Sequence, residues 1–187
     1  MAFLEQHTDE YLLARLKGGD ETAFTLLYRR RQGAIYRFIL HMTGDLVVAE
    51  DVTQEVFLAL LSGQAKYDES RGSLSGFLFG VARNKLLRRF GAQREVPVEE
   101  YAVDDDLLED LLRRETVERV RRAVLSLPQV YREAVVLCDL EESSYEDAAL
   151  ALDCPVGTVR SRLNRGRAML AQKLQPMAAV GVALGGK

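Results

Sequence analysis

The residues best suited to chemistry lie near the carboxyl end, in a stretch that carries only positive charge. Between Pro155 and Gln175 there are five basic side chains and no acidic one. Arginine can bridge the O6 and N7 atoms of guanine, while serine and asparagine suit base edges or phosphates. The stretch therefore indicates a DNA contact, unless its bases simply form a solvated helix face.

Two predicted helices and a tight turn would position this stretch. Ser143 followed by Glu146 forms a capping box, which predicts a helix that ends at Leu152. Residues 153–156 predict the turn, and a second helix is expected to begin near Gly157. These are the elements of a helix-turn-helix, whose second helix enters the major groove of DNA. An ordinary helical hairpin, with arginines that extend into solvent, is the alternative.

The second helix has two chemically different faces. At 100° per residue, its apolar side chains share a sector of about 60°; they are Val156, Val159, Leu163, Leu170 and Leu174. Arg160, Ser161, Asn164 and Arg165 lie on the opposite side. Because no acid lies between these arginines, they have no partner for intrahelical salt bridges. The spacing therefore favours DNA binding.

The formal net charge of −3 conceals an uneven distribution. A base-only run at 83–94 precedes an acidic run at 95–110, which has eight acids and no base. A bound phosphate responds to charge within a Debye length of roughly 8 Å, so local charge matters more than the total. The net charge therefore does not exclude a nucleic-acid partner.

Other kinds of chemistry have little support in the sequence. The histidines, His7 and His41, do not stand at metal-ligand spacing with Cys138 or Cys154. No glycine-rich phosphate loop and no nucleophile–base pair is evident. We therefore expect no catalytic residue, no metal and no cofactor. The sequence has no CxxC pair, no secretory signal and no apolar stretch long enough to span a membrane. It therefore predicts a cytoplasmic protein without membrane insertion.

Apolar residues recur at helical spacing along most of the chain, which predicts an all-α protein. The first domain, 1–94, is expected to contain a loop at 62–75 and four helices, at Asp9–Lys17, Glu21–Leu40, Leu46–Leu61 and Gly76–Phe90. Residues 95–110 contain Pro97 and no apolar periodicity, which predicts a flexible acidic linker. A second helical domain follows at 111–175, and the tail 176–187 has no assigned role.

Motifs in both predicted domains resemble those of one family. The first domain carries GDETAF (19–24), AEDVTQEVF (49–57) and FLFGVARN (77–84). The second carries LPQVYRE (127–133), SYEDAA (144–149) and DCPVGTVRSRL (153–163). In this order they resemble regions 2 and 4 of the extracytoplasmic-function (group 4) sigma factors of the bacterial sigma-70 family. The resemblance covers roughly residues 9–174.

The resemblance implies a fold and a function. The fold is two small helical domains, region 2 at 1–94 and region 4 at 111–175, joined by the flexible acidic linker 95–110. Such a protein is not an enzyme. It binds core RNA polymerase at the β′ coiled coil and the β flap, directs it to promoters with −35 and −10 elements, and helps to melt the −10 element. An anti-sigma factor commonly holds family members inactive, and a monomer is expected for the free protein.

For the −35 element, the resemblance implies the basic face of the second helix. Arg160, Ser161 and Arg165 match the family's recognition-helix contacts, and Arg167 matches a further basic position on phosphate. Asn164 shares this face on the helical wheel.

For the −10 element, the resemblance implies Asn84, in a pocket that takes a flipped base, with Lys85, Arg88 and the loop 67–73 beside it. An unstacked base needs hydrogen bonds to its Watson–Crick edge, which an asparagine amide can supply. Asn84 and Arg88 are i, i+4 neighbours and share a helix face. A solvent-exposed polar side chain is the alternative interpretation of Asn84.

For core polymerase, the resemblance implies a stripe at i, i+3, i+4 and i+7 of the third helix. Its residues are Asp51, Gln54, Glu55 and Leu58. By spacing alone, such a stripe would also fit an ordinary solvated face.

A different class of protein fits part of the pattern. A stand-alone helix-turn-helix regulator would dimerise through residues 1–94 and bind half-sites about one helical turn apart. It would need neither Asn84 nor the polar stripe of the third helix.

Overall fold

A computed structural model describes residues 7–91 and 108–175 of the chain, with side chains from residue 115 onward in the second range. These residues form helices without a strand, which confirms the all-α prediction. The helices are α1 (Asp9–Lys17), α2 (Glu21–Thr43), α3 (Leu46–Leu61), α4 (Leu74–Phe90), α5 (Leu108–Leu125), α6 (Gln129–Val135), α7 (Tyr145–Leu152) and α8 (Val156–Leu174). Most of the predicted linker and the tail 176–187 lie outside the described residues.

Side-chain caps set the beginnings of the helices in the first bundle, α1–α4. Asp20 accepts hydrogen bonds from the backbone of Thr22 and Ala23, and Ser73 accepts one from Gly76. Such caps satisfy backbone N–H groups that have no partner within the helix. The cap at Ser73 places the beginning of α4 two residues before the predicted Gly76.

The end of α2 differs from the prediction. The helix continues to Thr43 instead of ending at Leu40, and Gly44 then adopts a left-handed conformation with φ 72°. Glycine adopts this conformation without the steric cost of a Cβ atom, so it ends the helix. The additional turn places Met42, which is buried, in the core.

The second bundle, α5–α8, is built around α6. Pro128 precedes α6, as the Leu127–Pro128 pair predicts, and a π-helical turn at Val136–Leu140 follows it. Gly166 of α8 lies so close to α6 that a Cβ atom there would meet Val135 Cγ2 at 2.6 Å. Only glycine permits this approach of the two helices.

The predicted capping box of the helix-turn-helix is displaced by one residue. Ser144, not Ser143, caps α7, and its hydroxyl accepts a hydrogen bond from the backbone of Asp147 at 3.0 Å. The turn that follows contains Asp153 in a left-handed conformation with φ 49°. Aspartate tolerates this conformation better than most residues, so the tight turn before α8 forms without glycine.

The two bundles pack against each other and share one hydrophobic core. The contact between α4 and α7 is the most extensive helix contact in the described ranges. A hydrogen-bonded ion pair between Arg37 of α2 and Glu141 also crosses this junction. Within those ranges, no helix combines the length and the apolarity that a membrane span requires.

We expect acid to weaken this junction through His41. Burial and the positive charges of Arg121 and Arg37 lower the pKa of His41 below 6.5, and its buried Nδ1 has no hydrogen-bond partner among the residues that the structure describes. Well above pH 6.5 the imidazole is neutral in both the folded and the unfolded state. Below this pH the unfolded chain takes up the proton first, so the free energy of unfolding falls. The slope for one group is at most about 1.4 kcal/mol per pH unit.

Urea unfolding between pH 7.5 and 5.5 measures this effect when the wild type is compared with His41→Gln. The comparison is necessary because burial raises the pKa of Glu141, the partner of Arg37, and this group contributes its own pH dependence. A smaller slope for His41→Gln is the expected result. Equal slopes would show that His41 does not couple protonation to folding.

Candidate nucleic-acid interface

The recognition face of α8 lies opposite its buried side. Val159 and Leu163 are buried in the core, and Gly166 lies against α6. The five predicted −35 side chains are all exposed; they are Arg160, Ser161, Asn164, Arg165 and Arg167. The packing of α8 on α6 therefore presents the predicted face to solvent. Sequence reasoning did not identify Gly166, whose signal is a glycine inside a helical pattern.

The five side chains differ in their freedom to reach DNA. Arg165 and Asn164 have no hydrogen-bond or ion-pair partner among the described residues. The guanidinium of Arg160 lies 5.3 Å from the ring centroid of Tyr145, in a cation–π contact. The Ser161 hydroxyl donates to the Thr158 carbonyl at 2.9 Å. Arg165 is therefore the arginine of this face best placed to meet a base edge.

Arg167 is held by a partner that the sequence analysis did not find. It makes two hydrogen bonds to Asp139, at 3.0 and 2.6 Å, and this carboxylate raises the pKa of Arg167. Asp139 belongs to the π-helical turn, 28 positions earlier in the chain. Arg167 would have to leave this exposed, solvent-screened pair to reach a phosphate.

The predicted −10 residues of α4 differ in their contacts in the structure. Asn84 is exposed and lines a cleft of about 320 Å³ between α4 and the end of α7. Arg88 is exposed and has no partner among the described residues, whereas Lys85 donates to Glu55 of α3 at 3.1 Å. The structure therefore leaves Asn84 and Arg88 available and assigns Lys85 to the contact between α3 and α4.

The cleft beside Asn84 has basic, acidic and aromatic walls. Lys66, Arg71 and Arg83 supply positive charge, Asp68 and Asp153 supply two carboxylates, and Phe77 supplies an aromatic ring. The ring of Tyr67 lies 5.4 Å from that of Phe77, and its hydroxyl donates to the Gly72 carbonyl at 2.8 Å. Burial and the nearby Glu10 raise the pKa of Tyr67 to about 12, so it remains a neutral donor. Cations and aromatic rings together can hold the phosphates and bases of a single strand.

The predicted polymerase stripe of α3 is exposed along its whole length. Leu58 is 61% exposed and is the apolar member of this stripe. Glu55 is paired with Lys85, and Asp51 lies 3.5 Å from Arg89. Gln54 lies at a shallow groove of about 370 Å³ whose walls include Tyr28 and Tyr36. Sequence reasoning missed Arg89 and both tyrosines as neighbours of this stripe.

In the part of the chain that the structure describes, no three candidate ligand side chains lie close enough together to hold a metal ion. Cys138 and Cys154 are half-buried free thiols. Burial raises the pKa of Cys138 to about 11, so its thiol stays protonated at neutral pH.

Models of known protein families match both halves of the chain. Residues 27–96 match the model of sigma-70 region 2, and residues 117–170 match that of sigma-70 region 4. RNA polymerase sigma-H factor of Pseudomonas aeruginosa is 31% identical, covering 93% of this chain and 97% of that protein. The extracytoplasmic-function sigma-E factor of Escherichia coli is 33% identical, covering 92% of this chain and 97% of that protein.

Two solved structures have a similar fold. CnrH, in complex with the cytosolic domain of CnrY, superposes with a TM-score of 0.68 at 25% identity, covering 88% of this chain and 95% of that chain. The sigma factor RpoE of Bartonella quintana, in complex with the anti-sigma factor NepR, has a TM-score of 0.62 at 25% identity, covering 81% and 96%.

Proposed function

The chain belongs to the extracytoplasmic-function group of the sigma-70 family, and we propose how its residues divide the work of promoter recognition. The protein is a sigma factor that binds core RNA polymerase and directs it to promoters. The observation that carries this function is the match of regions 2 and 4, in order, on the two bundles. The work of such a subunit is binding and needs no catalytic site. In this proposal the protein works with RNA polymerase in the cytoplasm.

The −35 element is the target of α8 in this proposal. Its exposed, acid-free face supports insertion into the major groove, with Arg165 and Asn164 on base edges and Arg160 and Ser161 beside them. Arg167 binds a phosphate after its ion pair with Asp139 breaks. Tight packing at Gly166 supports this role, since a fixed helix angle holds the side chains in register with the bases.

The −10 element is the target of α4 and the loop 67–73. Asn84 reads a flipped base in the cleft, Phe77 and Tyr67 supply stacking surface, and Arg88 neutralises the strand. Lys85 contributes indirectly, by joining α4 to Glu55 of α3.

Core polymerase docks on the exposed stripe of α3, which we assign to the β′ coiled coil, while the second bundle meets the β flap. Asp51, Gln54 and Glu55 offer polar contacts, and Leu58 offers the apolar one. An anti-sigma factor is a further partner in this proposal, because the similar structure of RpoE from Bartonella quintana contains the anti-sigma factor NepR. We propose that the free protein is a monomer.

Run-off transcription tests the proposed function. Purified core polymerase is given a library of templates with and without this protein. Transcripts that require the protein, from start sites that share two upstream elements, are the expected result. If the protein binds duplex DNA as a dimer and never binds core polymerase, the helix-turn-helix regulator is the better description.

A further inference from the structure

Tyr145 joins the two helices of the helix-turn-helix at the edge of the predicted recognition face. It is the first residue of α7, and the Ser144 hydroxyl caps that helix. The Tyr145 side chain is half-buried and packs against the core. Arg160 of α8 lies over its ring, with the guanidinium carbon 5.3 Å from the ring centroid. The cap and the core packing therefore fix the aromatic surface on which Arg160 rests.

The contact with Tyr145 leaves the hydrogen-bond donors of Arg160 unused. A guanidinium stacks on a ring through its flat face, whereas its five N–H groups point outward in its own plane. Within the described part of the chain, Arg160 makes no hydrogen bond and no ion pair. Two of its N–H groups can therefore meet the O6 and N7 atoms of a guanine while the ring still holds the side chain.

Arg167 is held in a different way on the same side of α8. It follows Arg160 by seven positions, or about two helical turns, so the two side chains leave the helix in nearly the same direction. Arg167 donates from Nε and from one terminal nitrogen to Asp139. These donors form the fork that would otherwise bind a base or a phosphate. The contact that holds Arg167 thus occupies its donors, whereas the contact that holds Arg160 does not.

Arg165 lies on another part of the recognition face. It is five positions after Arg160, which places it about 140° further around the helix. Arg165 has no hydrogen-bond or ion-pair partner among the described residues. Long side chains that are ordered only on binding lose rotamer entropy at that step. Arg160 loses less of this entropy than Arg165, because Tyr145 already restricts it in the free protein.

We propose that Tyr145 is a positioning residue for −35 recognition, whose ring holds the guanidinium of Arg160 in the orientation that reads one base pair in the major groove. Tyr145 acts through Arg160 and not through its own hydroxyl. The inference rests on the proposed function, in which α8 enters the major groove. It adds to that function a determinant of specificity that lies outside α8.

Tyr145→Leu and Tyr145→Phe separate the effect of the ring from that of the hydroxyl. Leucine keeps an apolar side chain against the core but has no aromatic face, whereas phenylalanine keeps the face and loses only the hydroxyl. The probe is a duplex with the −35 sequence that run-off transcription defines, and fluorescence anisotropy measures its binding to the holoenzyme. We expect Tyr145→Leu to weaken this binding by about three- to tenfold.

Two controls accompany this measurement. Tyr145→Phe should stay within about twofold of the wild type, since its ring still binds the cation. Binding of Tyr145→Leu to random duplex should not change. A loss for phenylalanine as large as that for leucine would assign the effect to the hydroxyl, and equal losses on both duplexes would assign it to general attraction. Either result overturns the inference.

Double-mutant cycles identify the residue through which Tyr145 acts. In an Arg160→Ala background, Tyr145→Leu should cause no further loss, because the guanidinium that the ring positions is gone. In an Arg165→Ala background, the matched control, the same substitution should weaken binding by its full factor. Tyr145→Leu and Arg160→Ala should also relax discrimination at the same base pair of the −35 element. Full losses in both backgrounds would show that Tyr145 only supports the fold, which overturns the inference.

The contact itself can be measured without DNA. In the free protein, the side-chain protons of Arg160 lie over the ring, so NMR spectra should show them shifted upfield in the wild type and in Tyr145→Phe but not in Tyr145→Leu. No such shift in the wild type would overturn the inference. Transcription by the wild type with core polymerase reports the proposed function separately. Transcripts together with wild-type binding by Tyr145→Leu overturn only the role of Tyr145, whereas an upfield shift without transcripts overturns the proposed function and with it the DNA part of this inference.

Discussion

Replacing Arg132 by alanine is expected to lower the free energy of unfolding by at least about 3 kcal/mol. Arg132 is 7% exposed and donates to the carbonyl oxygens of Leu127, at 3.0 and 3.3 Å, and of Met42, at 2.7 Å. Burial lowers the pKa of Arg132, although the adjacent Glu133 opposes the shift. Alanine would leave a cavity and two buried carbonyl groups without their donor.

Urea denaturation at pH 7.5 measures this loss. Arg122→Ala is the matched control. Arg122 is 51% exposed, and its side chain makes only a long ion pair, with Glu118 at 3.7 Å, within the described part of the chain. The loss for this variant should therefore stay within about 0.5 kcal/mol. Arg132→Lys should recover only part of the stability, since one ammonium group cannot reproduce the guanidinium fork. A loss below 1 kcal/mol for Arg132→Ala would show that water replaces its hydrogen bonds.

The second large effect is expected for Arg165→Ala, which should weaken binding of the holoenzyme to its −35 element by about 5- to 150-fold, or 1–3 kcal/mol. Arg165 is exposed on α8 and has no partner among the described residues, so no interaction within the protein has to break before it meets a base. Binding to random duplex should change little, because a base contact contributes to sequence discrimination and not to general attraction.

Fluorescence anisotropy with specific and random duplexes separates these effects. Lys173→Ala is the control, since Lys173 is an exposed base on the same helix, outside the predicted face. Equal losses on both duplexes, with a shallower salt dependence, would identify Arg165 as a phosphate contact.

Sequence alone determined the local structure of this protein and its chemical faces. Helical periodicity and capping residues predicted the helices, and both ends of α1 and α3 agree with the structure. The basic face of α8 and the polar stripe of α3 follow from spacing within single helices, and all their predicted residues are exposed. Such features depend on residues within a few positions of one another, so local patterns suffice.

Errors in the local predictions are small and have physical causes. The cap of α7 lies at Ser144 instead of Ser143, because two adjacent serines offer the same chemistry and only the backbone conformation selects one. Helix α2 continues past the predicted Leu40 to Thr43, because the left-handed residue that ends it is Gly44.

The tertiary structure alone decided which faces meet. It pairs Lys85 with Glu55 and Arg37 with Glu141, which are 30 and 104 positions apart. It also places the −10 face of α4 against α7. A helical pattern specifies which side of a helix is buried, but not which partner covers it, because many pairs of apolar faces bury similar areas. The close backbone approach at Gly76 and the ion pair between half-buried Arg83 and buried Glu133 select one pairing among them.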